Sequence, residues 1–354
     1  RDKMNSQIWL RKEFKEGERR TPLLPQQARK LIIQGHEIHV EKCPDRIFTD
    51  DEYESQGCLI EKPEGWKEAP KESIILGLKE LPEESFPLIH RHIHFAHVYK
   101  GQSGHEKVLE RFHRGGGKLY DLEYLTDDKN KRIAAFGFWA GYVGAAIGLR
   151  AFYNPSQRLK SYENKNELLN EIREGLKSHV RPFVIGSLGR CGQGARKVFD
   201  ELNITGTYWD KEETQKGGPF AEIMNHHLFV NAVFLNSPTP PFVSKDFLNE
   251  SSNLEVIADV SCDPNSEFNP IPLYSKTTNW KSPYIEVPKK DGKIKILAVD
   301  NLPSVLPRES SEDFSNQLFS DLESFLKNPD NPTLPWENAL NIFNQKIQET
   351  FEGS

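Results

Sequence analysis

Short apolar runs of strand length alternate with helical segments along most of the chain, and this alternation restricts the possible folds more than any other feature. The predicted strands lie at 8–10, 37–40, 73–78, 93–97, 118–123, 181–185, 206–209, 227–233, 254–260 and 293–299. The predicted helices lie at 25–34, 50–57, 107–114, 164–178, 195–202, 311–326 and 336–351. Because parallel strands need crossover connections, which are usually helices, the pattern predicts an α/β protein built on parallel sheets.

Composition limits the class of protein. The chain has 354 residues, a formal net charge of −6 and 36% hydrophobic residues, a length that corresponds to about two domains. The acidic balance argues against a nucleic-acid-binding protein, and 21 Phe, 10 Tyr and 6 Trp argue against disorder. Four cysteines without a CxxC pair, and no secretory signal, favour a reducing, cytoplasmic location. We interpret Arg1-Asp2-Lys3 as a vector remnant before Met4.

An uncharged segment at 133–149 carries a stripe of four glycines, at 137, 141, 144 and 148. Their spacing places them on one face of a helix. In an apolar segment such a stripe can indicate dimerising membrane helices. The charged sequence on both sides favours instead a buried helix that another backbone approaches closely.

A glycine-rich loop, GSLGRCGQG, follows the predicted strand at 181–185 and precedes a predicted helix. Gly186, Gly189 and Gly192 would permit a tight turn and close approach of a pyrophosphate to the helix N-terminus. Asp210 ends the next predicted strand, 21 residues after Gly189, where an acid binds the adenosine ribose and favours NAD over NADP. The alternative is an ordinary glycine-rich turn with a surface aspartate. The first half has no such loop, which suggests a substrate domain beside a cofactor domain.

Two groups in the first half are candidates for acid–base chemistry. Lys79 follows the strand predicted at 73–78, and His97 ends the strand predicted at 93–97. The carboxyl ends of parallel strands are where doubly wound sheets bind ligands, so both groups should lie in one crevice. That position would lower the pKa of Lys79, whereas the neighbouring Glu80 would raise it. A surface lysine at a strand end is an equally good interpretation from the spacing alone.

Further charged residues surround these candidates. His90, His92, His94 and His97 form an HxHxHxxH pattern that could bind metal, but core or solvated histidines are the preferred interpretation for the first three. The run Glu18-Arg19-Arg20 and Arg132 could bind carboxylates, although each could equally be an ordinary surface group.

Several segments occur here in a combination known from one family. They are GLKELPE (77–83), FAHVYK (95–100), LYDLEYL (119–125), RIAAFGFWAGYVGAA (132–146), GSLGRCGQGA (186–195), KGGPF (216–220) and DNLPSVLPRESS (300–311). Together they resemble saccharopine dehydrogenase of the NAD-dependent, L-lysine-forming type, over about residues 8–319. Some are shared more loosely with alanine dehydrogenase and the transhydrogenase catalytic subunit.

The resemblance implies a fold and a reaction. The fold would be α/β, with two Rossmann-like doubly wound domains and a cleft between them: a substrate domain at 1–135 plus 308–354 and an NAD-binding domain at 136–307. The family oxidises the secondary amine of saccharopine with NAD, and hydrolysis of the imine yields L-lysine and 2-oxoglutarate. No metal is expected.

The resemblance also implies roles for individual residues. Lys79 and His97 would do the acid–base work, Glu80 and Glu123 would tune the lysine, and Lys15 and Glu18 would form a supporting pair. The expected substrate-binding residues are Arg20, Lys100, Arg132 and Asp300. The expected cofactor-binding residues are Gly186, Leu188, Gly189, Arg190, Gly192, Asp210 and Leu302.

Two departures from the family pattern carry structural expectations. Fungal members pair the cysteine equivalent to Cys191 with another in a later strand, where this sequence has Ala232, so Cys191 should be a free thiol. The stretch at 152–179 diverges and is expected to be a surface excursion.

Two other functions remain open alternatives. One is a related amino-acid dehydrogenase of the alanine dehydrogenase type, and the other is a non-catalytic dinucleotide-binding regulatory protein. The GLKE, FAHVYK and LYDLEYL segments favour saccharopine dehydrogenase over the first, and the intact acid–base pair argues against the second. The expected partners are saccharopine, lysine and 2-oxoglutarate, with no nucleic acid and no membrane, and the expected state is a monomer.

Overall fold

The structure is a computed structural model that describes residues 5–353, so the vector remnant proposed at 1–3 lies outside the described residues. Clustering of contacts divides the chain into two compact units. The first unit comprises the described residues up to Ala135 together with those from Ser310 onwards, and the second is Phe136–Glu309. The chain therefore leaves the first unit once and returns to it near its end.

The first unit contains a six-stranded sheet in which every pair is parallel. Its strands are β1 (Gln7–Leu10), β2 (Glu37–Glu41), β3 (Leu59–Glu61), β4 (Ile74–Leu76), β5 (Arg91–His94) and β6 (Lys118–Asp121). The strand order is β3-β2-β1-β4-β5-β6. The direction of winding therefore reverses between β1 and β4, which is the position where doubly wound sheets form their ligand crevice.

The second unit contains a sheet that is parallel except at one edge. Its strands are β7 (Pro182–Ile185), β8 (Thr207–Trp209), β9 (Leu228–Asn231), β10 (Val256–Asp259), β11 (Tyr284–Lys289) and β12 (Gly292–Leu297). The order is β11-β12-β10-β9-β7-β8, and β11 pairs with β12 in an antiparallel hairpin. Here the winding reverses between β7 and β9. The predicted α/β class with two largely parallel sheets is confirmed.

Helices connect the strands. They are α1 (Pro25–Ile33), α2 (Asp50–Ser55), α3 (His105–Gly115), α4 (Gly137–Arg150), α5 (Lys165–Gly175), α6 (Arg190–Glu201), α7 (Lys211–Thr214), α8 (Pro307–Lys327) and α9 (Leu334–Ile347). Among residues 5–353, none of the helices combines the length and the apolar character that crossing a bilayer requires. The glycine-striped segment is instead the buried helix α4, as its charged surroundings predicted.

Burial explains the apolar runs in the sequence. The three residues of β4 are fully buried, as is expected of strands covered on both faces. In the second unit, α5 lays Leu168, Leu169 and Ile172 into the core, each at most 2% exposed. The expectation of a surface excursion at 152–179 is therefore wrong, because the apolar face of α5 covers this core.

Several boundaries differ from the sequence predictions. Strands β3 and β11 were not predicted, and α6 begins at Arg190 rather than at 195. Strand β5 ends at His94, three residues before His97, and β4 ends at Leu76. The candidate acid–base residues therefore lie in loops just beyond the strand ends, where the backbone need not keep the extended conformation of a strand.

Candidate active site

Most of the candidate catalytic residues lie in the loops that follow the adjacent strands β1, β4, β5 and β6 of the first unit. Lys15, Glu18 and Arg20 follow β1; Lys79 and Glu80 follow β4; His97 and Lys100 follow β5; Glu123 and Arg132 follow β6. Because parallel strands point the same way, these loops meet at one edge of the sheet. The reversal of winding between β1 and β4 falls beside Lys79.

Lys79 is half-buried, and the pKa of its ammonium group is lowered. Burial lowers the pKa of its ammonium group, and the positive charges of Arg20 and Lys15 lower this pKa further. The carboxylates of Glu18 and Glu80 act in the opposite direction without restoring the ordinary value. A larger share of Lys79 is therefore neutral near physiological pH than of a solvated lysine, which is the property that a base requires.

Glu18 and Arg20 form a buried ion pair beside this lysine. Arg20 donates from Nη2 to Glu18 Oε1 at 2.6 Å and from Nε to Oε2 at 2.9 Å. Burial favours the neutral acid, but Arg20 outweighs it and holds the pKa of Glu18 below its usual value. The pair expected between Lys15 and Glu18 is not the one formed: Lys15 is exposed, and the carboxylate binds Arg20.

Glu80 accepts a hydrogen bond from Nδ1 of His97. Burial tends to raise the pKa of Glu80, yet the bond to His97 lowers it to about 2. The carboxylate is therefore ionised at neutral pH and can only accept, so Nδ1 carries the proton. The backbone of His97 is left-handed, with φ +55°, a conformation that costs energy for a residue with a side chain and often marks a functional position.

Glu123 joins two cations at the same edge. Its Oε1 accepts from Lys100 Nζ at 3.2 Å and from Arg132 Nη2 at 3.1 Å. The side chains of Lys100 and Arg132 are 63% and 45% exposed, so both can still reach a ligand. The charges that act most strongly on Lys79 do not include Glu123. Glu123 therefore offsets part of the charge of these two cations and is not among the main influences on the pKa of Lys79.

Sequence reasoning missed two buried carboxylates near the candidate residues. Asp121 ends β6 and accepts from the backbone N–H groups of Glu123 at 2.9 Å and Ala96 at 3.3 Å. Burial raises the pKa of Asp121 to about 6. Glu13 lies in the loop after β1 and binds the backbone of Leu78 and Lys79. An acid at a strand end could have been noticed, but the partners of Glu13 are 65 residues away in sequence and gave no local signal.

The histidine that precedes β5 and the two within it are core residues. His90, His92 and His94 are each at most 1% exposed. The ring of His92 packs edge-on against Trp66 and Phe112, and burial lowers its pKa well below the usual value. The interpretation of these three as core histidines is confirmed. Within residues 5–353, no group of three or more His, Cys, Asp or Glu side chains is placed to hold a metal ion.

In the second unit, the glycine loop joins β7 to α6. Gly186 has φ +90°, and a Cβ there would lie 2.8 Å from the carbonyl oxygen of Ala232. A Cβ on Gly192, in the first turn of α6, would lie 2.0 Å from the carbonyl oxygen of Gly186. The middle glycine, Gly189, is the N-cap of α6 and is open to close approach. These are the three properties that a dinucleotide loop requires, although the spacing is not GxGxxG.

Asp210 lies at this loop, directly after β8. Its Oδ2 accepts from the backbone N–H of Leu188 at 2.9 Å, and its Oδ1 accepts from Lys211 at 2.8 Å. The acid and the helix N-terminus are thus brought together by the neighbouring strands β7 and β8. These residues fit an NAD molecule: the first turn of α6 would receive its pyrophosphate, and Asp210 would bind its ribose.

The other candidate residues of the second unit differ in how far they are exposed. Leu188 is 71% exposed at the loop, whereas Leu302 is 1% exposed and packs in the core beside Gly144. Any contact of Leu302 with a cofactor would therefore come from its backbone. Asp300 is exposed after β12, and Arg190 starts α6. Cys191 is a free thiol, as expected, and burial raises its pKa to about 11.

Comparison with known proteins gives the family. The family model for the alanine dehydrogenase/PNT N-terminal domain matches residues 9–143. A protein of Yarrowia lipolytica named saccharopine dehydrogenase [NAD(+), L-lysine-forming] is 44% identical to this chain. The match covers 96% of this chain and 97% of the relative. The relative of the same name in Emericella nidulans is also 44% identical, covering 97% of this chain and 98% of the relative. The chain belongs to the L-lysine-forming saccharopine dehydrogenase family.

The family assignment agrees with the fold. A solved L-alanine dehydrogenase superimposes with a TM-score of 0.70 at 16% identity, covering 98% of this chain and 99% of that one. At such low identity the likeness shows a shared fold alone. The sequence resemblance to saccharopine dehydrogenase is confirmed, and the segments that carried it contribute Lys79, His97, Glu123, Arg132 and the glycine loop.

Proposed function

We propose that the protein oxidises L-saccharopine with NAD+ and releases L-lysine and 2-oxoglutarate. The observation that carries this proposal is the 44% identity to saccharopine dehydrogenases along nearly the whole chain. The first unit, which holds the charged cluster around Lys79, is the substrate domain. The second unit, which holds the glycine loop, is the NAD-binding domain.

The reaction has an oxidation and a hydrolysis. Loss of a hydride and a proton converts the secondary amine to an imine; water then adds to the imine carbon, and the carbinolamine breaks its C–N bond to give a ketone and a primary amine. Bound NAD+ supplies the hydride acceptor. The loop from Gly186 to Gly192 and the carboxylate of Asp210 hold that cofactor.

Lys79 is the base that keeps the substrate amine neutral. Its lowered pKa supports this role, since a protonated lysine cannot accept a proton. The half-buried position keeps the amine partly out of water, while Glu18 and Glu80 remain near enough to stabilise the ammonium ion once it has formed. Burial and Arg20 thus favour the neutral amine of Lys79, whereas Glu18 and Glu80 favour its ammonium form.

His97 exchanges protons with the water that attacks the imine. Because Glu80 binds the protonated Nδ1, the other ring nitrogen, Nε2, keeps its lone pair for the water. Glu80 then stabilises the imidazolium that forms when His97 accepts a proton. The same histidine returns the proton to the departing amine of lysine.

The substrate carries three carboxylates and needs several cations. Arg132 and Lys100 are exposed enough to bind two of them, and Glu123 offsets part of their positive charge before substrate arrives. Arg20 is only 4% exposed and is bound to Glu18. Its main effect is therefore the positive electrostatic potential that it adds at the site, and direct binding of a substrate carboxylate would require it to leave Glu18. The role of Asp300 in substrate binding stays a prediction, as do the monomeric state and the cytoplasmic location.

The decisive test is NADH formation by the purified protein. We expect turnover with saccharopine and NAD+, little with NADP+, and none with L-alanine. Turnover with alanine alone would favour the alanine dehydrogenase type, and turnover with neither would overturn both enzymatic functions. Lys79→Met should abolish saccharopine oxidation while NADH binding, followed by fluorescence, stays intact. Lys71→Met, an exposed lysine preceding the amino-terminal end of β4, is the matched control.

A further inference from the structure

The backbone around Lys79 is held by a carboxylate from another loop. Glu13 lies in the loop after β1, and its side chain is buried, with only 7% of its surface exposed. Its Oε1 accepts from the backbone N–H of Lys79 at 2.6 Å, and its Oε2 accepts from the backbone N–H of Leu78 at 3.1 Å. Both oxygens of one carboxylate are thus committed to consecutive amides of the loop that carries the proposed base.

Arg11 completes this arrangement from the same loop. Its fully buried guanidinium donates from Nη1 to Glu13 Oε2 at 3.0 Å and from Nη2 to the carbonyl oxygen of Lys79. The guanidinium lies against Gly77, where a Cβ would be 2.2 Å from its central carbon. A side chain at this position would therefore displace the guanidinium from where it crosses the loop.

Two further backbone groups of this segment bind residues of β5 and just after it. Gly77 donates to the carbonyl oxygen of Ile93 at 2.9 Å, and Leu78 accepts from the backbone N–H of Phe95 at 3.0 Å. Every N–H from Gly77 to Lys79, and the carbonyl groups of Leu78 and Lys79, thus has a partner. Buried backbone groups are normally paired, but here side chains rather than a strand supply the partners for Lys79.

We propose that Glu13 and Arg11 are positioning residues, which fix the backbone of Lys79 so that its amine is held at the substrate. The inference rests on the proposed function of Lys79 as the base. The two residues act through geometry, because the charges that most affect Lys79 belong to Arg20, Glu18, Lys15 and Glu80. Displacement of a catalytic group by about 1 Å can cost on the order of 100-fold in rate.

Glu13→Gln tests this proposal. A glutamine has one acceptor oxygen, so its NH2 group would face one of the two backbone N–H groups. We expect faster hydrogen–deuterium exchange at Leu78 and Lys79 and a fall in kcat of about 10- to 100-fold. The Michaelis constant for saccharopine and the pH dependence should stay near wild type, since no charge that controls Lys79 is removed.

Glu41→Gln is the matched control. Glu41 is fully buried and likewise accepts backbone N–H groups, from Lys12 and Glu64 at 3.0 Å and from Trp66 at 2.8 Å. Its loss should free the amides of Lys12, Glu64 and Trp66 to exchange. The rate constant kcat should stay near wild type, because Arg11 and Glu13 keep their own bonds to the loop of Lys79. Equal falls in kcat for both variants would show a general structural effect and overturn the proposal.

A second variant covers the case in which Glu13→Gln does not fold, since it leaves Arg11 buried without a counter-charge. Glu13→Asp keeps the charge but shortens the side chain, and it should also release one of the two amides and lower kcat. Continued protection of both amides in the folded variants would overturn the positioning role. If the wild-type protein does not oxidise saccharopine, the proposed function fails, while amide exchange still decides whether Glu13 holds the loop.

Discussion

The carboxylate of Glu80 binds Nδ1 of His97, so the two loops after β4 and β5 are joined by a hydrogen bond between side chains. The bond holds the pKa of Glu80 at about 2. It also determines which nitrogen of the imidazole has a lone pair for the reaction. The tautomer of His97 is thereby set by a residue in the loop after the neighbouring strand β4.

Glu80→Gln should therefore lower kcat for saccharopine oxidation by at least about tenfold, within the range known for acid–base groups. Glutamine can donate to Nδ1 as well as accept from it, so the imidazole loses its fixed tautomer. Steady-state NADH formation measures the effect. Glu83→Gln, an exposed acid in the same loop, should behave like wild type. Equal rates for the two variants would remove the bond from the mechanism.

Lys15→Met should shift the pH profile of saccharopine oxidation. Lys15 lowers the pKa of Lys79, so its removal raises that pKa and moves the ascending limb of kcat/KM to higher pH. Because Lys15 is exposed, the shift should shrink at high salt. Lys12→Met is the control, since Lys12 is not among the main charges that act on Lys79. An unchanged midpoint in Lys15→Met would contradict the prediction.

Asp210→Ser should weaken NAD+ binding and reduce the preference over NADP+. The variant loses the carboxylate that would bind the ribose hydroxyls and repel a 2′-phosphate. Fluorescence titration with NADH and NADPH compares the two affinities. Glu212→Gln, an exposed acid two residues later, should leave both unchanged. Retention of the full preference by Asp210→Ser would place cofactor selection elsewhere.

Asp121 should make the free energy of unfolding depend on pH. Its pKa is about 6 in the folded protein and 3.8 ordinarily, so the folded state binds more protons between these values. Stability attributable to this group therefore falls as pH rises from about 4 to about 6, by on the order of 3 kcal/mol. Urea unfolding at several pH values tests this. The Asp121→Asn variant should lack this fall in stability between about pH 4 and about pH 6. Asp128→Asn, which changes an exposed aspartate, should retain it.

The sequence predicted the sheets and the main candidate residues because these depend on local patterns. Apolar runs in the sequence indicated β4 and β5. Lys79 and His97 follow these runs, so they were expected at the carboxyl ends of parallel strands. The glycine loop was found because its function requires several glycines at short spacing between a strand and a helix. Strand β3 was missed because it is three residues long and only partly buried.

The pairing of charged side chains could not be read from the sequence, either within one loop or between distant loops. Glu18 was expected beside Lys15, three residues away, but the backbone turns so that its carboxylate binds Arg20. Glu13 reaches residues 65 positions later, and only the adjacency of β1 and β4 in the sheet brings them together. The segment at 152–179 was misjudged for a related reason: an amphipathic helix shows which face is apolar but not what it covers.

The glycine stripe of α4 has a consequence for engineering. At Gly141 a Cβ would lie 1.7 Å from the carbonyl oxygen of Cys191, in the opening turn of α6. Replacing glycine by alanine within a helix ordinarily gains about 1 kcal/mol in helix propensity. Here the added methyl group would instead push away the turn that carries the proposed phosphate contacts. A substitution chosen for helix propensity would thus weaken the proposed binding of NAD, although Gly141 lies far before the glycine loop in the sequence.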